Sequence, residues 1–131
     1  MKGYEYLLRF LNEEGFRKSD EGNYFSFKYE GNTYIVFKND SPYLQVLLLL
    51  KADGYSRTQM LEACNKLNDD KFVVKFTVHD SVIWCSYEFK PSDETTNDEF
   101  DLILTLLDKG SDELFAELNK INFQIFLSEK I

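Results

Sequence analysis

The stretch NYFSFKYEGNTYIVFKNDSPYLQVLLLL, residues 23–50, decides the fold. Phe25, Phe27 and Tyr29 alternate with Ser26 and Lys28, the two-residue period of a strand with one buried face. Glu30-Gly31-Asn32 reads as a turn with a glycine free to take positive φ. Thr33–Lys38, β-branched and aromatic, is then the returning strand of a hairpin. Asn39-Asp40-Ser41-Pro42 is a second turn, and Tyr43–Leu50 a third strand. Its even positions, Leu44, Val46, Leu48 and Leu50, are apolar, and so are Leu47 and Leu49. A strand apolar on both sides lies centrally or is covered twice. Three strands joined by short turns make an antiparallel sheet.

Outward from this stretch the period changes. Tyr4, Leu7, Leu8 and Leu11 share one helical face, and Gly15 suits the end of that helix, over 3–14. Beyond the Asp53-Gly54 break, Ser56 and Gln59 form a capping box before Met60, Leu61, Cys64 and Leu67, predicting a helix over 57–68. Strands follow at 72–79, with Phe72, Val74, Phe76 and Val78 on one face, and at 82–90, with Ile83, Cys85, Tyr87 and Phe89 on one face. His79-Asp80-Ser81 joins them as a hairpin. Thr96 and Glu99 cap a last helix with Phe100, Ile103, Leu104 and Leu107 as its stripe; Gly110 is expected to end or kink it before Leu114, Phe115, Leu118 and Ile121. Phe123, Ile125, Phe126 and Leu127 predict a tail docked on the body, because leaving them in water is unfavourable. The expectation is a single α+β domain over residues 1–131, an antiparallel five-stranded sheet with packed helices in the order α-β-β-β-α-β-β-α.

The hydrophobic content of 44% marks a folded chain. No apolar run approaches the roughly 18 residues of a membrane span, and Met1-Lys2-Gly3-Tyr4-Glu5 offers no secretory h-region. A cytoplasmic protein is expected, with Cys64 and Cys85 as free thiols and no membrane partner. The net charge is −8, and residues 92–131, with ten carboxylates and three lysines, carry −7 of it. Such a field repels phosphate backbones and argues against a nucleic-acid partner.

The chain lacks a constellation that reads as catalytic. His79 stands beside Asp80, but neighbours on a strand point to opposite faces, and a turn histidine is the simpler account. Cys64 and Cys85 sit in apolar patterns, without the electropositive surroundings of a reactive thiolate. One histidine and this cysteine spacing do not make a zinc site. Asp93, Glu94, Asp98 and Asp101 lack the calcium-loop pattern and read as charge at a helix start. There is no glycine-rich phosphate loop. No catalytic residue, metal or cofactor is expected.

Alternation points instead to the second face of the sheet. With Phe25, Phe27, Tyr29, Ile35, Phe37, Phe76, Ile83, Cys85 and Phe89 toward the helices, Tyr34, Val36, Leu47, Leu49, Val73 and Trp84 turn outward. That is too much apolar surface to leave in water, so the tail or a partner covers it, with Trp84 as an anchor.

The element order resembles the YbjN-type family of bacterial proteins, candidate sensory transduction regulators that share the fold of type III secretion chaperones. The likeness rests on YLLRFLNEEGF (residues 6–16), FSFKYEGNTY (25–34), and ACNKLN (63–68) followed by FVVKF (72–76). It implies a small, often dimeric, non-enzymatic protein that binds other proteins, and no catalytic residues. The leading expectation is therefore a homodimeric protein-interaction module, chaperone-like or regulatory. One alternative is a small-molecule binder or enzyme with a pocket lined by Tyr24, Tyr34, Tyr43 and Tyr87. Another is an acidic, immunity-like inhibitor that neutralises a basic partner.

Overall fold

The computed structural model describes residues 1–70 and 73–130. The chain runs α1 (Gly3–Glu14), β1 (Lys18–Asp20), β2 (Tyr24–Tyr29), β3 (Asn32–Phe37), β4 (Leu44–Lys51), α2 (Arg57–Asp70), β5 (Lys75–His79), β6 (Val82–Phe89) and α3 (Asn97–Lys130). The fold is α+β with an antiparallel sheet, as the alternation requires, but the sheet has six strands rather than five, ordered β1-β2-β3-β4-β6-β5. The added strand, β1, is Lys-Ser-Asp, fully exposed and paired only with β2. It has no apolar alternation to announce it. The expected start of the strand at Phe72 lies outside the described residues; β5 itself begins at Lys75.

Both expected capping boxes form. Gln59 N–H donates to Ser56 Oγ at 3.1 Å, and Ser56 N–H to Gln59 Oε1 at 2.8 Å. Glu99 N–H donates to Thr96 Oγ1 at 3.2 Å, and Thr96 N–H to Glu99 Oε2 at 2.8 Å. Each box satisfies two N–H groups that would otherwise lack partners at the helix start.

The first hairpin closes on two residues, Glu30 and Gly31, both with positive φ (49° and 83°), the twist a two-residue hairpin favours. Tyr29 therefore pairs with Asn32, and Tyr34 stands opposite Phe27. This register overturns one expectation. A three-residue turn over 30–32 would have set Ile35 opposite Phe27. The shorter loop slips β3 by one residue and exchanges its faces. Tyr34 and Val36 are buried in the core, and Ile35 and Phe37 turn outward.

All three helices pack on one face. The core joins Leu7, Phe10 and Leu11 of α1, Met60, Ala63, Cys64 and Leu67 of α2, and seven buried residues of α3 from Phe100 to Ile121. From the sheet it takes one set of alternating positions: Phe25, Phe27, Tyr34, Val36, Leu44, Val46, Leu48, Leu50, Phe76, Ile83 and Cys85. Gly3 sets how closely α1 approaches β4: a Cβ there would lie 2.4 Å from the Tyr43 carbonyl oxygen. Gly110 does not end α3, which runs as helix for 34 residues. Its hydrogen atoms fit where a Cβ would stand 3.2 Å from Cys85 Sγ and 3.2 Å from Val74 Cγ1.

The end of α3 also departs from expectation. It continues as helix instead of folding back, every residue from 122 to 129 is exposed, and Phe123 is 60% exposed.

Candidate interaction surface

The antiparallel register carries one set of side chains to the face opposite the helices. Ile35 lies across from Leu47, Leu47 from Ser86, Leu49 from Trp84, and Trp84 from Thr77. Facing pairs share a side of the sheet, so Ile35, Phe37, Leu47, Leu49, Val82 and Trp84 form one apolar field across three adjacent strands, β3, β4 and β6. Leu47 and Ser86 are buried within this field, Ile35, Phe37 and Trp84 are half-buried, and Leu49 is 39% exposed. Among the described residues, no helix contributes its core-facing side chains to this side.

Trp84 is fixed by its neighbours. The His79 ring stacks on it, centroids 3.7 Å apart and 21° from parallel, and the Phe37 ring centroid is 6.2 Å away. His79 Nε2 and Thr77 Oγ1 are 3.0 Å apart and share a hydrogen bond. An indole held this way presents a flat apolar plane with little freedom left to lose on contact. Three lysines on the same side, Lys28, Lys51 and Lys75, are exposed; Glu88 is the carboxylate among them and accepts from Gln45 Nε2 at 2.8 Å. The face is thus apolar at its centre and net basic at its margin, on a chain of charge −8.

Of the six residues expected outward, Leu47, Leu49 and Trp84 stand together on this face. Tyr34 and Val36 are in the core, for the register reason given above, and Tyr34 O–H donates to the Leu104 carbonyl at 3.0 Å. Val73 is exposed but precedes β5 and lies on neither face. Ile35 and Phe37 were missed. The length of the first turn was the signal that could have found them.

The possible chemical groups are placed as follows. Cys64 and Cys85 are buried, and burial pushes their thiols up to about 11 and about 12, away from thiolate chemistry. His79 stacks on Trp84 instead of orienting toward a nucleophile. Asp93 faces Arg9 at 3.6 Å, and Asp101 accepts from Tyr29 O–H at 3.0 Å. Among the described residues there is no group of three or more His, Cys, Asp or Glu side chains placed to hold a metal, and no helix is long and apolar enough to cross a membrane. The four tyrosines of the pocket alternative do not converge: Tyr34 is in the core, Tyr43 is 59% exposed, and Tyr24 and Tyr87 stand on opposite faces of the sheet.

No protein-family model matches the sequence, and no curated protein matches it. A solved structure does: the crystal structure of YbjN from E. coli, a candidate transcription regulator, superposes with a TM-score of 0.62 over 93% of this chain and 93% of that one, at 9% identity. At that identity the likeness speaks for the fold alone, and the fold of this chain is that of YbjN.

Proposed function

We propose that the protein is a non-enzymatic interaction module of the cytoplasm, regulatory or chaperone-like in the manner of type III secretion chaperones, that binds protein through the open face of its sheet and pairs with itself. The observation that carries this reading is the one-sided packing. Three helices cover one face, while Ile35, Phe37, Leu49 and Trp84 on the other retain access to solvent. A rigid aromatic at the centre of an apolar field with a charged margin is the composition of a protein-binding surface. The YbjN-like fold supports a regulatory or interaction role.

The test is affinity capture from the native host with the wild-type chain and with Leu49→Asp, a change at an exposed position that leaves the core intact. A protein retained by the wild type at fixed stoichiometry and lost with Leu49→Asp is the expected result. Identical capture by both chains would move the binding surface elsewhere. A metabolite that raises the melting temperature by several degrees would favour the ligand-binding alternative.

A further inference from the structure

The outer side of β1 is an open sheet edge. Among the described residues no strand lies beyond it, and Lys18, Ser19 and Asp20 are all exposed. The opposite edge is treated differently: the Asn68 amide occupies the N–H and C=O of Phe76 on β5. Glu21 N–H donates to the Tyr24 carbonyl at 2.9 Å, so Glu21 directs its backbone groups toward β2. That direction alternates along an antiparallel strand. Ser19 therefore also bonds toward β2, and the N–H and C=O of Lys18 and Asp20 point to the open edge. Such an edge is a template for another strand.

The side chains select which strand. Arg17-Lys18-Ser19-Asp20-Glu21 runs plus, plus, neutral, minus, minus, and all five residues are exposed. Laid antiparallel on itself about Ser19, this segment sets Arg17 opposite Glu21 and Lys18 opposite Asp20, each pair twice. An edge protected by charge of one sign would instead repel its own copy. The present partners of these groups leave room for the pairing. Lys18 Nζ donates to the neutral Asn12 Oδ1, and Ser19 Oγ donates to Glu21 Oε1 at 2.7 Å. Asp20 accepts from Lys38 Nζ at 2.7 Å and from Gly22 N–H at 2.9 Å, and a carboxylate has capacity for further donors. Arg17 is in no ion pair among the described residues. On the reading that the chain pairs with itself, we infer that β1 of a second copy adds to this edge across a two-fold axis at Ser19, antiparallel, with Arg17 against Glu21 and Lys18 against Asp20 of the other copy. Lys18 and Asp20 then exchange backbone hydrogen bonds between copies, and the two six-stranded sheets run on as one. Facing residues share a side of a sheet, so both Leu49–Trp84 faces lie on the same side and stay open to another protein.

Charge reversal tests this by complementation, with mass read by sedimentation velocity. The wild type should be a dimer that dissociates on dilution. Arg17→Glu/Lys18→Glu makes the edge wholly acidic, and Asp20→Lys/Glu21→Lys makes it wholly basic. Each variant alone should weaken the dimer by roughly tenfold or more. An equimolar mixture should recover it, because opposite charges then meet at every position. Ser19→Cys should give a disulfide-linked dimer on mild oxidation, since facing residues at such a pair hold their Cα atoms about 4.5 Å apart, and both native thiols are buried. A wild type that stays monomeric, or a Ser19→Cys chain that does not cross-link, overturns the inference. So does a dimer that both charge variants leave intact, or one that they weaken and the mixture does not recover. Leu49→Asp should leave the dimer whole. Its dissociation would place self-pairing on the sheet face and overturn the inference, while the capture experiment still decides the wider reading independently.

Discussion

At the scale of single residues, Asn68 does something its sequence neighbourhood does not announce. It sits near the end of α2, yet its amide behaves as a strand neighbour. Its Nδ2 donates to the Phe76 carbonyl at 2.8 Å, and the Phe76 N–H donates to its Oδ1 at 2.7 Å. β5 is an edge strand, and this amide occupies the backbone groups that an incoming strand would use. Replacing Asn68 with Ala leaves both groups of Phe76 without that partner. The expected loss is about 1–3 kcal/mol, read as a lower urea midpoint, with faster aggregation on heating as the edge opens. An unchanged midpoint would show that water replaces the amide at no loss. Tyr34 illustrates the limit of reading at this scale. Both phases of residues 34–37 are apolar, so alternation cannot choose between them. The choice is made by a backbone detail, the two-residue loop at Glu30 and Gly31.

At the scale of elements, the helices and long strands were legible because each carries a period and a stop: α1 ends at Gly15 in the left-handed region, φ 75°, and two capping boxes open α2 and α3. What was not legible has a common cause. β1 has no apolar residue, so it exists only because the β2 edge offers hydrogen bonds. Gly110 reads locally as a helix stop, yet it is required by tertiary crowding against Cys85, Val74 and Phe76. The docked tail was expected from hydrophobicity, but α3 continues as helix to Lys130 and keeps the side chains of 122–129 exposed. Gly110→Val tests the crowding account. A larger residue there must push α3 off the sheet, and overpacking of this kind costs about 1–3 kcal/mol. If Gly110 were merely a weak helix position, substitution would instead raise the melting temperature through better helix propensity.

At the scale of the whole molecule, one-sided packing places Tyr29, Tyr34, Cys64 and Cys85 between the sheet and the helices, and this gives a signed pH dependence. Burial pushes Tyr34 up to about 12 from an ordinary 10.0, and burial with the hydrogen bond to Asp101 does the same for Tyr29. Burial raises Cys64 to about 11 and Cys85 to about 12 from an ordinary 9.0. In all four, the folded state keeps its proton at a pH where the unfolded chain has released it. The contribution to stability is complete below the unfolded values and is lost as pH rises through the folded ones. For Tyr34, which is fully buried, a shift of two units corresponds to about 3 kcal/mol. The urea midpoint should therefore hold near pH 7–8 and fall steeply from about pH 9 to 12, with no mirror-image loss from these groups on the acid side. Tyr34→Phe should lower the midpoint modestly at neutral pH, by the one hydrogen bond to Leu104, and flatten the fall above pH 10. A variant whose alkaline limb stays parallel to the wild type would assign that limb to Cys64, Cys85 and Tyr29 instead of Tyr34.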